Sequence, residues 1–263
     1  MKIGLLTVGD IMVTNMLFYD SAREDACRKV CEKLFIDYLP AVDGQRNHEL
    51  TESGFQPREI TERYRLDIHH QILHPDMPDC FADNRNNVLF VYEGNVLRGV
   101  THISDYNQNI VIQALQDDLL VFERNLRLWL RLNEFTNDSM VEFFCYKRDK
   151  SKDGSYNQRF WDEKYIRFSQ KVRAMKELRP FQLFDFSDLL YLANSSFTEK
   201  IFSFPQLNEH DSKKDGVSVL RELRNMAMHG KDPVSRSNET GLFSLDSLRT
   251  FVREVNYLRI QHY

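Results

Sequence analysis

Between Ile110 and Phe135 the apolar residues Leu115, Leu119, Phe122, Leu126, Trp129 and Leu130 recur at three- and four-residue spacing. That is one face of a long helix. Glu123, Arg124, Arg127 and Arg131 fall on the opposite side, with Glu123 and Arg127 at the i,i+4 spacing that supports a helix. A helix this long, apolar along one face, must lay that face on other elements. It also divides the chain, because the pattern before it is mixed and the pattern after it is helical throughout.

After the long helix, the sequence predicts a short helix over 139–146, a polar loop over 147–155 and a helix over 156–178 ending before Pro180. Another begins at Phe186-Ser187-Asp188 and runs through Leu190, Ala193, Phe197 and Ile201. A loop over 205–215, acidic and then basic, precedes a helix whose stripe is Val217, Leu220, Leu223 and Ala227. Gly230 is suited to ending that helix, which puts His229 in its last turn. Pro233 then breaks the chain, and Ser244 caps a last helix to about Tyr263.

Before the long helix, residues 7–12 predict a strand or turn, and Asp20 with Ser21 an N-cap for a helix over 22–35. The buried stripe of that helix is expected to be Ala26, Val30, Leu34 and Phe35, with Cys27 and Cys31 as small packing residues beside it. Residues 37–44 read as a short strand and turn, and 87–92 and 96–102 as a hairpin turned at Glu93-Gly94-Asn95.

Hydrophobic residues make up 42% and charged residues 28% of the 263, a composition neither disordered nor membranous. No run approaches the roughly 18 apolar residues of a membrane helix. The start, MKIGLLTVGDIM, lacks signal-peptide features. Cys27, Cys31, Cys80 and Cys145 form neither a disulfide framework nor a paired zinc motif, so a cytoplasmic location without a membrane partner is expected. His69, His70 and His74 are read as surface or packing histidines because Pro75 and Pro78 follow, and no metal site is expected. Residues 1–110 carry 11 basic and 17 acidic side chains, residues 111–263 24 and 22, so a polyanionic partner would favour the second half. The clusters Lys147 to Lys152 and Lys213-Lys214 are solvated loops able to guide RNA electrostatically.

The chemistry-bearing stretch is Arg224-Asn225-Met226-Ala227-Met228-His229. Arg221, Asn225 and His229 recur four apart on a face away from the apolar stripe, with Arg224 at its border. A guanidinium, an amide and an imidazole on one exposed stripe suit an anion and a proton transfer. A cation near a helix C-terminus also complements the helix dipole without any further role. No GxGxxG, Walker lysine loop, GxSxG or HExxH occurs.

RNMAMH is similar to the signature of HEPN domains, in which Arg, a polar residue and three further residues precede His. The resemblance covers about residues 113–263 and implies an all-helical domain that is a metal-independent endoribonuclease, acting on an RNA substrate as a homodimer with two motifs facing each other. It implies Arg224, Asn225 and His229 as catalytic residues and no cofactor for catalysis. The first half resembles a CBS-domain pair, on TVGDIM at 7–12, YLPAVDG at 38–44 and LFVYEGNVLRGVTHISDYN at 89–107. That resemblance implies an adenine nucleotide as a regulatory ligand, with Asp105, Thr101 and Ser104 binding it. Gly99 and Asp105 match, whereas His102 stands where Thr or Ser is usual, and residues 48–61 replace the first repeat's return strand without a matching Asp.

The expected fold is therefore α+β, with a CBS-like α/β domain over residues 1–112 followed by a HEPN-like helical bundle over residues 113–263. The expected function is a metal-independent endoribonuclease of HEPN type regulated by a nucleotide, with a role as toxin or defence effector implied by family resemblance alone. The alternative is a non-catalytic nucleotide-sensing or dimeric interaction module.

Overall fold

The structure is a computed structural model that describes residues 2–34, 36–82, 88–174, 181–193, 216–237 and 243–260. The architecture is α+β, with small sheets in the first part of the chain and helices in the rest. Two compact units divide it. One comprises Met1–Asp117 with Met226–Asn256, the other Asp118–Asn225 with Tyr257–Tyr263. The first division falls five residues beyond the expected 112/113 boundary, but the segment Met226–Asn256 groups with the first unit.

After a 3₁₀ turn over Ile3–Leu5, the first unit has the one-turn helix α1 (Val8–Ile11), where a strand or turn was expected. Its capping box closes through Asp10, whose Oδ2 accepts from the Thr7 backbone N–H at 2.7 Å. Helix α2 spans Glu24–Leu34, and Asp20 caps the 3₁₀ turn before it by accepting from Ala22 N–H at 2.9 Å. The expected buried stripe of α2 is overturned. Cys27 and Cys31 face the core at 8% and 0% exposure, whereas Ala26 is exposed and Leu34 is 52% exposed. The thiols fill the space against Leu39 and Phe55, where a larger side chain would overpack. Phe35, the fourth member of the expected stripe, lies outside the described residues.

Strands β1 (Tyr38–Pro40), β2 (Arg46–Thr51) and β3 (Gly54–Glu59) form an antiparallel meander in that order. Residues 48–61, read from sequence as replacing a return strand, thus supply most of β2 and β3: β2 returns along β1 with Leu39 opposite His48. A second sheet orders β4 (Arg65–Asp67), β5 (Val88–Glu93) and β6 (Val96–His102), with β4 parallel to β5 and β5 antiparallel to β6. Helix α3 (Met77–Ala82) lies in the connection from β4 to β5. The expected hairpin is present, joined by Gly94-Asn95, although Asn87 lies outside the described residues. Gly99 of β6 has a packing reason to be glycine, since a Cβ there would come within 2.8 Å of Met12 Sδ and 2.9 Å of the Val13 carbonyl oxygen. Tyr106 anchors the core of this unit. It is wholly buried between Phe81 and Phe251 and donates its hydroxyl to the Ile72 carbonyl at 2.6 Å.

Helix α4 (Asn109–Leu132) carries the predicted stripe, with Leu115, Leu119, Phe122, Leu126 and Leu130 all buried. In the second unit the Glu123–Arg127 pair forms as expected, and Arg127 also donates to the carbonyls of Phe181 and Phe184. Helix α5 spans Asn137–Lys150, so 147–150 continue the helix where a loop was expected, and Thr136 caps its start. Helix α6 spans Tyr156–Ala174, and residues 175–178 of its expected length lie outside the described residues. Helix α7 spans Phe186–Ala193. Phe197, Ile201, the 205–215 loop and Lys213-Lys214 lie outside the described residues. Phe143, Phe144, Trp161, Phe168 and Phe184 pack ring against ring beneath α5 and α6.

Helix α8 (Gly216–Met228) carries the stripe Val217, Leu220, Leu223 and Ala227, each at 2% exposure or less. Helix α9 (Leu245–Ile260) starts where predicted, with Ser244 Oγ accepting from Ser247 N–H at 3.3 Å. Residues 238–242 before it and 261–263 after it lie outside the described residues. Among the described residues, no helix is long and apolar enough to cross a membrane.

Candidate functional site

The division between the two units falls between Asn225 and Met226, inside the Arg224–His229 motif. Each part is therefore described in its own unit.

In the second unit, α8 turns Val217, Leu220 and Leu223 into the core and leaves Arg221, Arg224 and Asn225 half-buried. The sequence had placed these polar residues on an exposed stripe. Here Arg221 Nη1 donates to the Tyr191 hydroxyl at 3.0 Å, a partner 30 residues away. Arg224 Nε is shielded from solvent and has no hydrogen-bond partner among the described residues. Leaving a guanidinium N–H desolvated and unpaired is costly, and a phosphate or carboxylate oxygen would remove that cost.

In the first unit, the end of α8 is a Schellman motif. Lys231 N–H donates to the Met226 carbonyl at 3.0 Å and Gly230 N–H to the Ala227 carbonyl at 3.4 Å. Gly230 has φ +58°, the left-handed conformation that this ending requires. His229 is thus the C-cap residue, one position beyond the helix, and its side chain is exposed. Gln116 Nε2 donates to the same Ala227 carbonyl at 2.7 Å.

The residues expected to hold a nucleotide come together where β6 leads into α4. They form a capping box. Asp105 Oδ2 accepts from His102 N–H at 2.7 Å, while His102 Nδ1 accepts from Ser104 N–H at 3.1 Å and lies 2.6 Å from Ser104 Oγ. The other Asp105 oxygen accepts from Gln108 Nε2 at 3.2 Å. Thr101 is wholly buried, and its hydroxyl lies near enough to favour the Asp105 carboxylate without making a well-formed hydrogen bond. Burial pushes the Asp105 carboxyl above its ordinary range against the pull of these donors. Burial, reinforced by Arg236, pushes His102 down, which suits an imidazole whose Nδ1 accepts. Each carboxylate oxygen has two lone-pair directions, so Asp105 keeps capacity for a further donor.

The sequence singled out His70 and His74 as surface or packing histidines but did not connect Asp76 with them. His70, His74 and Asp76 bring one ligand atom each within 4.8 Å of one another. No helix runs over 70–76, since Pro75 precedes α3 and Pro78 lies in its first turn, and a turn, not a helix face, gathers the three. Their signal was the close spacing of His70, His74 and Asp76 across that turn.

Known protein families, curated proteins and solved structures were compared with the chain, and none matches.

Proposed function

We propose that the chain is a metal-independent endoribonuclease of HEPN type, cleaving RNA with Arg224, Asn225 and His229 and working as a homodimer. The observation that carries this reading is Arg224 Nε, shielded and unpaired among the described residues, in a motif that also supplies an exposed imidazole at His229. An orphaned guanidinium N–H is a receptor for an anionic oxygen, and a phosphodiester provides one. In RNA cleavage the 2′-hydroxyl loses its proton and attacks phosphorus, and the bond to the 5′-oxygen breaks as that oxygen gains a proton. His229 serves as base or acid, and the equivalent residue of a second copy serves as the other. Arg224 stabilises the charge that builds on the phosphorane oxygens, and Asn225 orients the phosphate or the imidazole.

In the same reading the first half is a CBS-like regulatory part that takes an adenine nucleotide near Asp105, Thr101 and Ser104. Both Asp105 oxygens already accept hydrogen bonds within the turn, and this favours a second reading of the first half, as a dimerising or sensing scaffold without a ribose contact.

The test is incubation of the purified chain with mixed RNA in EDTA, with and without AMP, ADP or ATP. Products ending in 2′,3′-cyclic phosphate and 5′-hydroxyl are expected. Activity should fall about 10²- to 10⁴-fold in His229→Ala, the usual contribution of a general acid or base. It should fall also in Arg224→Lys, because an ammonium cannot reproduce the planar fork. Equal cleavage by wild type and His229→Ala would discard the catalytic reading in favour of an interaction module.

A further inference from the structure

We propose that His70, His74 and Asp76 form a binding site for a first-row divalent metal ion of the zinc type, separate from the Arg224–His229 motif. The geometry is specific. His74 Nδ1 lies 2.5 Å and His70 Nε2 3.1 Å from the same oxygen, Asp76 Oδ1. The two rings meet edge to face with centroids 5.2 Å apart, so their nitrogens converge on that oxygen from different directions. A four-coordinate ion with bonds of about 2.0–2.2 Å holds its ligand atoms roughly 3.3 Å apart. Changes of about 0.2 to 1.5 Å in these separations would admit the ion.

The turn that presents these groups is fixed to the first unit's core. The His70 backbone carbonyl accepts from Val8 N–H at 2.8 Å, and Ile72 N–H donates to the Leu6 carbonyl at 3.1 Å. Ile72 and Leu73 are buried at 0% and 2%, and their carbonyls accept from the Tyr106 hydroxyl at 2.6 Å and from Asn256 Nδ2 at 2.8 Å. Met77 is likewise buried, and the Asp76 backbone carbonyl starts α3 by accepting from Asp79 and Cys80 N–H at 2.9 and 3.0 Å. The ligand set is therefore positioned by backbone contacts independent of the three side chains. Little ordering is left for the ion to impose, which favours binding.

Two imidazoles and one carboxylate select the metal class. Imidazole suits zinc, copper, nickel and cobalt, whereas magnesium and calcium take oxygen ligands. The side chains of His74 and Asp76 are half-exposed, at 53% and 49%, with His70 at 23%. Water can therefore fill the fourth position. When the ion binds at His70 Nε2 and His74 Nδ1, each neutral ring carries its one proton on its other nitrogen.

The test uses the full chain, stripped with EDTA and desalted. Calorimetric titration with Zn²⁺ is expected to saturate at one equivalent, with no comparable binding of Mg²⁺ or Ca²⁺. Co²⁺ should give visible d–d absorption and broaden the ring proton resonances of two histidines. His74→Gln and Asp76→Asn should each weaken Zn²⁺ binding by at least about tenfold, the scale on which even the outer partners of metal ligands act. His69→Gln, next to the cluster but outside it, should bind as the wild type does. Circular dichroism on each variant separates lost binding from lost fold, and the Co²⁺ resonance broadening needs no variant. Absence of saturable Zn²⁺ binding, equal binding in His74→Gln, or Mg²⁺ binding as tight as Zn²⁺ would each overturn the site and leave a hydrogen-bonded turn.

Discussion

Lys164 Nζ lies 2.5 Å from a carboxylate oxygen of Asp188, a residue only 1% exposed in the second unit. Lys164 also stands over the rings of Phe160, Phe144 and Phe168 at 5.3, 5.7 and 6.0 Å. The other Asp188 oxygen accepts from Asp185 N–H at 3.3 Å, so the carboxylate also serves the start of α7. Burial pushes the Asp188 carboxyl above its ordinary value even though Lys164 pulls it down. Desolvation therefore outweighs the ion pair, as is common for buried charges.

Removing only the lysine should be the damaging change. Lys164→Met strands a buried carboxylate and is expected to cost about 3–5 kcal/mol. The sign with pH follows from a raised folded-state pKa: the contribution is present below the ordinary value of 3.8 and lost as pH rises through the folded value. Lys164→Met should therefore regain stability on acidification, relative to wild type. Adding Asp188→Asn removes the charge but keeps an acceptor for Asp185, and should show a coupling of about 1–3 kcal/mol. Denaturant melts of the single and double variants at two pH values measure this. Additive losses would mean that the pair is not coupled.

His102 predicts a pH dependence of the opposite sign. Its folded pKa is lowered by burial and by Arg236, with Asp105 and Ser104 bonded around it. A histidine with a depressed pKa contributes stability that is present above 6.5 and lost as pH falls below that value. Protonation at Nδ1 would also remove the acceptor for Ser104 N–H, a capping loss of about 1 kcal/mol. Urea melts across pH 7.5 to 5, on wild type and His102→Asn, should show a steeper acid loss in the wild type. Parallel profiles would remove His102 as the cause.

How far the sequence could be read depended on whether a pattern repeats. The stripes of α4 and α8 were legible because each carries several apolar residues at helical spacing, and the β5–β6 hairpin because its strands flank the Glu93-Gly94-Asn95 turn signal. The buried face of α2 was misread because a Cys pair fills it, and cysteine counts for little beside Val30 and Leu34 in a reading by hydrophobicity. The β2–β3 hairpin was missed because β2, RNHELT, is polar and no position on it is fully buried. Arg224, Asn225 and His229 were found by motif. That Arg224 Nε is shielded is a property of the folded chain, which no spacing reports.

Asp105 needs a substitution chosen for its role in the turn. Asp105→Ala orphans His102 N–H and leaves Gln108 Nε2 only the Ile11 carbonyl, and should cost about 1–2 kcal/mol whether or not a nucleotide binds. Asp105→Asn keeps a carbonyl acceptor and should melt much closer to wild type. Titration of AMP, ADP, ATP and S-adenosylmethionine into Asp105→Asn then reports on the ligand contact alone. Binding weakened at near-native melting temperature would support the nucleotide role. Unchanged affinity would leave Asp105 as a cap.

The end of α8 separates stability from chemistry within two adjacent residues. Gly230 holds φ +58°, and a Cβ built there has no atom within 4 Å, so Gly230→Ala should be penalised by backbone strain alone. That strain is about 1–2 kcal/mol for an ordinary residue, and Gly230→Asn should lose less because Asn tolerates this region. His229 is exposed at the C-cap, so His229→Ala should stay within roughly ±0.5 kcal/mol of wild type. If the motif cleaves RNA, His229→Ala loses activity at an unchanged melting temperature. Gly230→Asn, by contrast, should keep nearly all activity at a slightly lower melting temperature. Calorimetry paired with the EDTA cleavage assay on these three variants gives the pattern directly. A large melting loss in His229→Ala would instead make the imidazole part of the cap, and the motif would then be a helix ending.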